Sequence, residues 1–145
     1  MEKSLKAYED DFWLLLEAGF VAVNNIDEDS ALKLFTACTV LKPESTFPKV
    51  GFAYMHLCKL ELKKASALLE EVLATDPTNE MAETLLGIVL SMMPKKSAQG
   101  EKLLEKATKS SQADIKKLAN EAIHFVDQTV KQKVPSPMDV QSPKK

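Results

Sequence analysis

The chain contains little of what builds turn-rich, disulfide-linked or nucleic-acid-binding proteins. Only four of its 145 residues are glycine and only two are cysteine. The scarcity of glycine argues against many short strands and favours helices. Cys38 and Cys58 form no Cys-x-x-Cys pair, so we expect reduced thiols with a packing role rather than a metal or redox role. The formal net charge is −2 with both signs interspersed, unlike the basic surface of a nucleic-acid-binding protein.

Long apolar segments are also absent. The longest apolar runs, residues 12–16 and 85–90, are too short to span a bilayer. The first six residues lack the apolar stretch of a secretory signal. We therefore expect no membrane insertion and a cytoplasmic location.

No constellation of catalytic residues is apparent. The sequence has no Gly-rich phosphate loop, no His-Glu-x-x-His and no nucleophile elbow. His56 and His124 lie far apart in sequence, without obvious carboxylate partners. Acidic pairs such as Asp10-Asp11 are explained as solvated charges near helix N-termini. We predict that the protein is not an enzyme and carries no metal or other cofactor.

What the sequence does have is self-similarity at a fixed period. Gly19, Ala53 and Gly87 are each separated by 34 residues. The same spacing relates four further pairs: Ala31 and Ala65, Phe35 and Leu69, Cys38 and Val72, and Pro43 and Pro77. Small residues recur where helices approach closely, large apolar residues recur in the core, and proline recurs where a helix must stop. A period of this length is typical of repeat proteins.

These residues resemble the tetratricopeptide (TPR) pattern. The resemblance implies an all-α fold of three helix-turn-helix repeats in a short right-handed superhelix, followed by a C-terminal capping helix. The units are an N-terminal extension of the first helix (1–11), repeat one (12–45), repeat two (46–79), a degenerate repeat three (80–112), the capping helix (113–132) and a disordered tail (133–145). In repeat three the second helix aligns one residue late, at Gly100, Leu104 and Ala107.

Seven helices follow from periodicity and capping residues. The first covers about residues 5–24. The second follows a cap at Asp27, Asp29 or Ser30 and ends near Leu41. The third follows Ser45 or Thr46 with Pro48 in its first turn, and the fourth covers about 61–74. Thr78 or Asn79 opens the fifth, which stops before Pro94, and the last two cover about 98–109 and 113–131. We expect Leu15, Phe35, Leu69 and Leu86 in the core.

In TPR proteins the first helices of successive repeats line a concave groove. The resemblance places ten residues there: Trp13, Leu16, Phe20, Val23, Phe47, Val50, Tyr54, Leu57, Met81 and Ile88. This lining is apolar and lacks the fixed donors that bind a carboxylate, so we expect it to accept the apolar face of an amphipathic helix. An empty groove would be a large apolar patch and a possible homodimer interface. The main alternative is that the C-terminal helix folds back into the groove.

The opening residues 12–20, together with the register around Gly19, Ala53 and Gly87, resemble the chaperones that bind the needle protein of bacterial type III secretion (YscG/PscG type). This resemblance implies that the groove holds the C-terminal helix of a needle subunit and prevents premature polymerisation. It also implies a small helical co-chaperone against Leu5, Tyr8 and Phe12. Two alternatives stay open: a chaperone of type III translocator proteins, which binds an extended segment, and an adaptor between two folded proteins.

Overall fold

The computed structural model describes residues 7–130, and every regular element within that range is helical. A short 3-10 turn, Glu9–Asp11, precedes seven helices: α1 (Phe12–Asn24), α2 (Glu28–Leu41), α3 (Phe47–Cys58), α4 (Leu62–Thr75), α5 (Glu80–Ser91), α6 (Ser97–Ala107) and α7 (Ala113–Phe125). One π-helical segment, Val126–Val130, continues α7. The all-α prediction is confirmed. The predicted tail, residue 131 of the last helix and residues 5 and 6 of the first lie outside the described residues.

The helix starts follow from short polar side chains and one proline. Asp27 Oδ1 accepts a hydrogen bond from the Ser30 N–H at 3.1 Å, and this bond lowers the pKa of the Asp27 carboxyl. Asn79 Oδ1 accepts from the Ala82 N–H at 3.0 Å. Pro48 lies in the first turn of α3, where its missing N–H breaks no helical bond. The prediction that Pro48 lies in the first turn of α3 is confirmed. For the other two helix starts the sequence left alternatives open, and the structure selects Asp27 and Asn79 from them.

The first helix begins later than predicted. Residues 9–11 form a 3-10 turn closed by a hydrogen bond from the Asp11 N–H to the Tyr8 carbonyl at 3.0 Å, and the α-helix starts only at Phe12. The expectation of a continuous helix from residue 5 is therefore wrong over residues 7–11, since residues 7 and 8 form a turn before the 3-10 segment. Three consecutive acidic residues form this turn, and none of them is buried. The turn therefore has no apolar side chain that could extend the buried face of α1.

Two turns of the chain have the same backbone conformation. Ile26 and Leu60, 34 residues apart, have φ angles of 62° and 59°. Each donates its N–H to a carbonyl three residues earlier, and the following residue donates to a carbonyl five residues earlier. This is the Schellman motif, whose left-handed position is usually glycine. The turn between α5 and α6 is longer and contains Pro94, in line with the degenerate third repeat.

The helices stack in order. α1 packs with α2, α3 with α4 and α5 with α6, and each pair contacts the next. The odd-numbered helices also contact one another in the order α1, α3, α5 and α7, so they form one layer. α7 contacts both α5 and α6, and its Ile115 and Ala119 are buried there. The last helix therefore covers the apolar end of the stack.

The core on the N-terminal side is built around Phe35. This fully buried ring from α2 makes edge contacts with Phe20 and Phe52, at centroid separations of 5.3 and 5.4 Å. A Cβ added to Gly51 would lie 2.5 Å from Phe35 Cε1, and one added to Gly19 would lie 2.8 Å from Phe35 Cδ1. The ring therefore occupies space that exists because α1 and α3 both have glycine there.

The remaining expectations for the core are met in most cases. Leu69 and Leu86 are buried, and Leu15 is partly buried against the cluster that contains Phe35. Cys38 is buried, and its Sγ lies 3.7 Å from the Phe12 carbonyl oxygen. Cys58 is exposed, so the expectation of a packing role is wrong for that cysteine, which lies at the end of α3.

The left-handed turns predict a stabilising substitution. Ile26 is 93% exposed, so Ile26→Gly removes almost no buried apolar surface. The change also removes the backbone strain of a β-branched residue held at positive φ. After the entropy of glycine in the unfolded chain is included, we expect a gain of about 0.5–1 kcal/mol in unfolding free energy. Urea denaturation measures it. The control Ala67→Gly, on an exposed face of α4, should lose about 1 kcal/mol. A loss of stability in both variants would contradict the strain at Ile26.

The packing of Phe35 predicts a coupled pair of substitutions. Gly51→Ala should destabilise the protein by roughly 1–3 kcal/mol because the added methyl group meets the ring, although alanine favours helices. Phe35→Leu should reduce that loss in the double variant, since the smaller side chain leaves room. Gly87→Ala is the matched control: a Cβ there would lie 3.1 Å from Leu103 Cβ and Leu104 Cδ2, rather than the 2.5 Å that separates a Cβ at Gly51 from the Phe35 ring, so we expect a smaller effect. Additive losses in the double variant would show that Phe35 does not set the limit at Gly51.

Candidate functional site

The layer of odd-numbered helices brings together the aromatic residues that the sequence register paired. The rings of Trp13 and Phe47 are 5.1 Å apart, and those of Phe20 and Tyr54 are 5.6 Å apart. Trp13 is 52% exposed and Phe47 is 41% exposed, whereas Phe20 and Tyr54 are half-buried. We call these four residues the aromatic face. It bridges α1 and α3, with one open pair near the helix starts and one shielded pair about two turns further on.

Helix geometry and one hydrogen bond hold the aromatic face in place. Within each helix its two members are seven residues apart, about two turns, so they project from the same side. The Tyr54 hydroxyl donates to Asn24 Oδ1 at 2.6 Å and links α3 to α1. Burial raises the pKa of the Tyr54 phenol, which favours the neutral form that donates this bond.

Three residues predicted to line the groove are buried instead. Leu16 and Val23 belong to the cluster around Phe35, and Val50 belongs to the cluster between α3, α4 and α5. Each lies three residues after a member of the aromatic face, which rotates it by about 60° around the helix. This rotation turns the side chains toward the neighbouring helices. The predicted groove is corrected at these three positions.

The part of the predicted groove on α5 is largely covered. Met81 and Ile88 are half-buried against the cluster between α3, α4 and α5, as is Leu57 of α3. Met81 also packs against the small buried cluster that includes Ile115 and Ala119 of α7. α7 therefore covers the surface next to Met81. This agrees in part with the alternative that the C-terminal helix folds back into the groove, because α7 reaches the α5 end of the predicted groove. The exposed part of the predicted groove lies on α1 and α3.

The predicted co-chaperone residues have different environments. Phe12 is fully buried, and its ring faces Lys42, whose Nζ lies 4.9 Å from the ring centroid. It cannot form part of an exposed surface, so that prediction is corrected: the first residue of α1 already points into the core. Tyr8 is exposed, and Leu5 lies outside the described residues.

No protein-family model, curated protein or solved structure matches this chain. Among residues 7–130, none of the helices is both long enough and apolar enough to cross a membrane. The same range holds no group of three or more His, Cys, Asp or Glu residues arranged to bind a metal ion. The arrangement of the side chains is therefore the basis for assigning a function.

A cleft of about 800 Å³ lies between α2, α3 and α4 and was not anticipated from the sequence. Leu32, Phe52 and Leu68 supply apolar surface, and charged residues such as Lys49 and Glu44 lie among its lining. Lys49 forms a salt bridge to Glu71 at 3.1 Å. The cleft uses the side of α3 opposite Tyr54, since Phe52 is two residues away and about 200° around the helix.

A cluster of charges closes one end of this cleft. Lys59 Nζ lies 2.8 Å from both Glu28 Oε1 and Glu61 Oε1, and His56 Nδ1 lies 3.6 Å from Glu61 Oε1. Hydrogen bonds from Lys59 and Lys64 lower the pKa of Glu61 to about 2. The sequence pattern shows no obvious carboxylate partner for His56, and the structure places Glu61 beside it. The cluster ties the turn after α3 to the start of α2.

This cluster predicts a pH-dependent contribution to stability. Because its folded pKa is lowered, Glu61 stabilises the fold above its ordinary pKa of 4.5, and this contribution is lost as the pH falls toward about 2. Glu61→Gln should therefore lower Tm near neutral pH, and the difference from the unsubstituted protein should vanish at about pH 2. Glu70→Gln, an exposed change on α4, is the control and should have little effect. An equal Tm loss at both pH values would show that the effect is not ionic.

Proposed function

We propose that this protein binds an amphipathic helix of another polypeptide on its aromatic face. The observation that carries the proposal is the pair Trp13 and Phe47, two large rings in contact across adjacent helices and still about half exposed. Contiguous exposed apolar surface marks interaction sites. Aromatic residues that can become fully desolvated are the usual anchors of protein interfaces.

The shape of the face suits a helix better than a flat partner. The apolar row continues from Trp13 and Phe47 to the half-buried rings of Phe20 and Tyr54 and to Leu57. From Phe47 to Leu57 the row is about three helical turns long, roughly 15 Å. A partner helix with apolar residues at i, i+4 and i+7 would meet it along one stripe. The Tyr54 hydroxyl is already bonded to Asn24, so a partner would contact the part of the ring that remains exposed.

The scaffold we propose is a stack of three TPR repeats with a right-handed superhelical twist. Two observations support it. The bounds of α4 follow those of α2 by 34 residues at both ends, and the Schellman turns at Ile26 and Leu60 repeat at the same interval. In such a stack the odd-numbered helices line the concave side. The aromatic face would then lie inside the concavity.

The specific function we propose is that of a cytoplasmic chaperone for the needle protein of type III secretion. The C-terminal helix of the needle protein would lie on the aromatic face and be kept from polymerising, and a small co-chaperone would bind near Tyr8 at the start of the chain. Support comes from the opening residues 12–20 and from the apolar character of the open face. The empty protein would hide this surface by forming homodimers.

The cleft between α2, α3 and α4 favours a second candidate function, the binding of an extended polypeptide segment. Its mixed lining of apolar and charged side chains suits an extended segment, whose backbone needs hydrogen-bonding partners. An extended cargo would fit a translocator chaperone, and two folded partners would fit an adaptor. The two sites use opposite sides of α3, so substitutions separate them.

Trp13→Ala and Phe47→Ala test the proposal. Each should weaken binding of a synthetic peptide that reproduces the C-terminal helix of a needle protein by roughly 1–3 kcal/mol. The loss of unfolding free energy should be smaller than at a core position, since both rings are about half exposed. Phe35→Ala, a core position, should cost about 3–5 kcal/mol of stability. Titration calorimetry and urea denaturation give the two quantities. Unchanged affinity in both variants, with loss of affinity in Leu32→Gln, would move the site to the cleft.

A further inference from the structure

The side of α1 that faces away from the core has exposed apolar side chains with Glu17 beside them, and none of residues 7–130 covers these side chains. Leu14 is 66% exposed and Val21 is 57% exposed. With Ala18 between them they occupy positions i, i+4 and i+7, which form one stripe along a helix. We call these three residues the outer face of α1. They lie on a different side of the helix from Phe20, whose ring packs against Phe35.

The opposite end of the stack has a different character. Most exposed positions of α7 are polar, and Phe125 at its end is the exposed large apolar side chain on this helix. The polar positions include Lys116, Lys117, Asn120, Glu121 and His124. Stacked helical repeats need a polar outer surface at each end to stay apart in water. α7 provides one, and α1 has leucine and valine where a terminal helix needs polar residues. The outer face of α1 is therefore a surface suited to a partner.

The charge around this face indicates which kind of partner. Residues 7–32 contain seven Asp and Glu and no Lys, Arg or His, although the whole chain has a net charge of only −2. Glu28 and Asp29 are paired with Lys59 and Lys33. Within residues 7–130, Glu17 and the acidic residues of the 3-10 turn at 9–11 form no ion pair.

We propose that the outer face of α1 binds a positively charged amphipathic helix of another protein. The apolar stripe would receive the apolar side of that helix, and the carboxylates beside it, which form no ion pair within residues 7–130, would attract its lysines or arginines. A second copy of this chain would bring Glu17 close to another acidic first helix, which opposes self-association through this face. This inference rests on the proposed function in one respect: it assigns a positive charge to the second partner proposed there, the small helical co-chaperone. The surface it uses is separate from the aromatic face.

Two synthetic helical peptides of about 18 residues, five turns, test the inference. They share one Leu/Ala face and differ in having lysine or glutamate at every polar position. With the full chain, the lysine peptide should bind at least about tenfold more tightly than the glutamate peptide, and its affinity should fall as salt is added. Fluorescence anisotropy at low and high salt measures both. Equal binding of the two peptides would overturn the inference.

Substitutions locate the binding on this face. The double variant Leu14→Gln with Val21→Gln should weaken binding of the lysine peptide about tenfold or more, without unfolding, since both side chains are exposed. Val40→Gln, an equally exposed change on α2, is the matched control and should not alter affinity. Glu17→Gln combined with Asp10→Asn and Asp11→Asn should weaken binding and reduce its salt dependence.

Other occupants give distinguishable results. If Trp13→Ala removes binding of the lysine peptide and the Leu14 and Val21 double variant does not, the peptide binds the aromatic face; this inference then fails and the proposed function stands. If the double variant converts a dimer to a monomer in sedimentation, a second copy occupies the face and the inference is wrong. If the peptide binds only after residues 1–6 are removed, the chain covers the face itself, which also contradicts it.

Discussion

The ring of Phe35 determines how the first three helices lie against one another. It projects from α2 into the space between Gly19 of α1 and Gly51 of α3, where any Cβ would collide with it. Phe20, the shielded member of the aromatic face on α1, rests on the same ring at 5.3 Å. The position of the aromatic face therefore depends on how one ring fits between two glycines. A change in that contact would move the surface proposed to bind a helix, because interiors are packed too densely to absorb it locally.

The two ends of the stack have different consequences for function. α7 covers the C-terminal end, packs beside Met81 and presents a mostly polar side to solvent. Of the seven large apolar side chains exposed on the described helices, four (Trp13, Leu14, Val21 and Phe47) lie on α1 and at the start of α3. The others are Leu32 and Val40 on α2 and Phe125 at the end of α7. A partner that buried the four on α1 and α3 would act on the first two helix pairs. The third pair and α7 would serve as support for that surface.

The sequence predicted what depends on local chemistry and on the period. Caps at Asp27 and Asn79, the start at Pro48 and the pairing of Phe20 with Tyr54 all follow from residue type or 34-residue spacing. Spacing could not predict which apolar side chains stay open: Leu16 and Val50 differ from the aromatic face by only about 60° of rotation. Because a helix that packs between two neighbours is apolar on more than one side, the apolar pattern alone does not show which side is exposed. The contact of His56 with Glu61 depends on the Schellman turn, whose left-handed residue is here leucine rather than the glycine that would have signalled it.

Exposed apolar residues and backbone strain occur in the same half of the molecule. Ile26 and Leu60 hold left-handed conformations that cost free energy without burying their side chains, and Trp13, Leu14 and Val21 leave apolar surface in water. Such features lower the stability of the isolated chain, because they remove hydrophobic burial and add strain. A partner that binds only the folded state would restore stability in proportion to the logarithm of its concentration over Kd. The same residues that weaken the free protein would then make its folded population respond to the proposed partner.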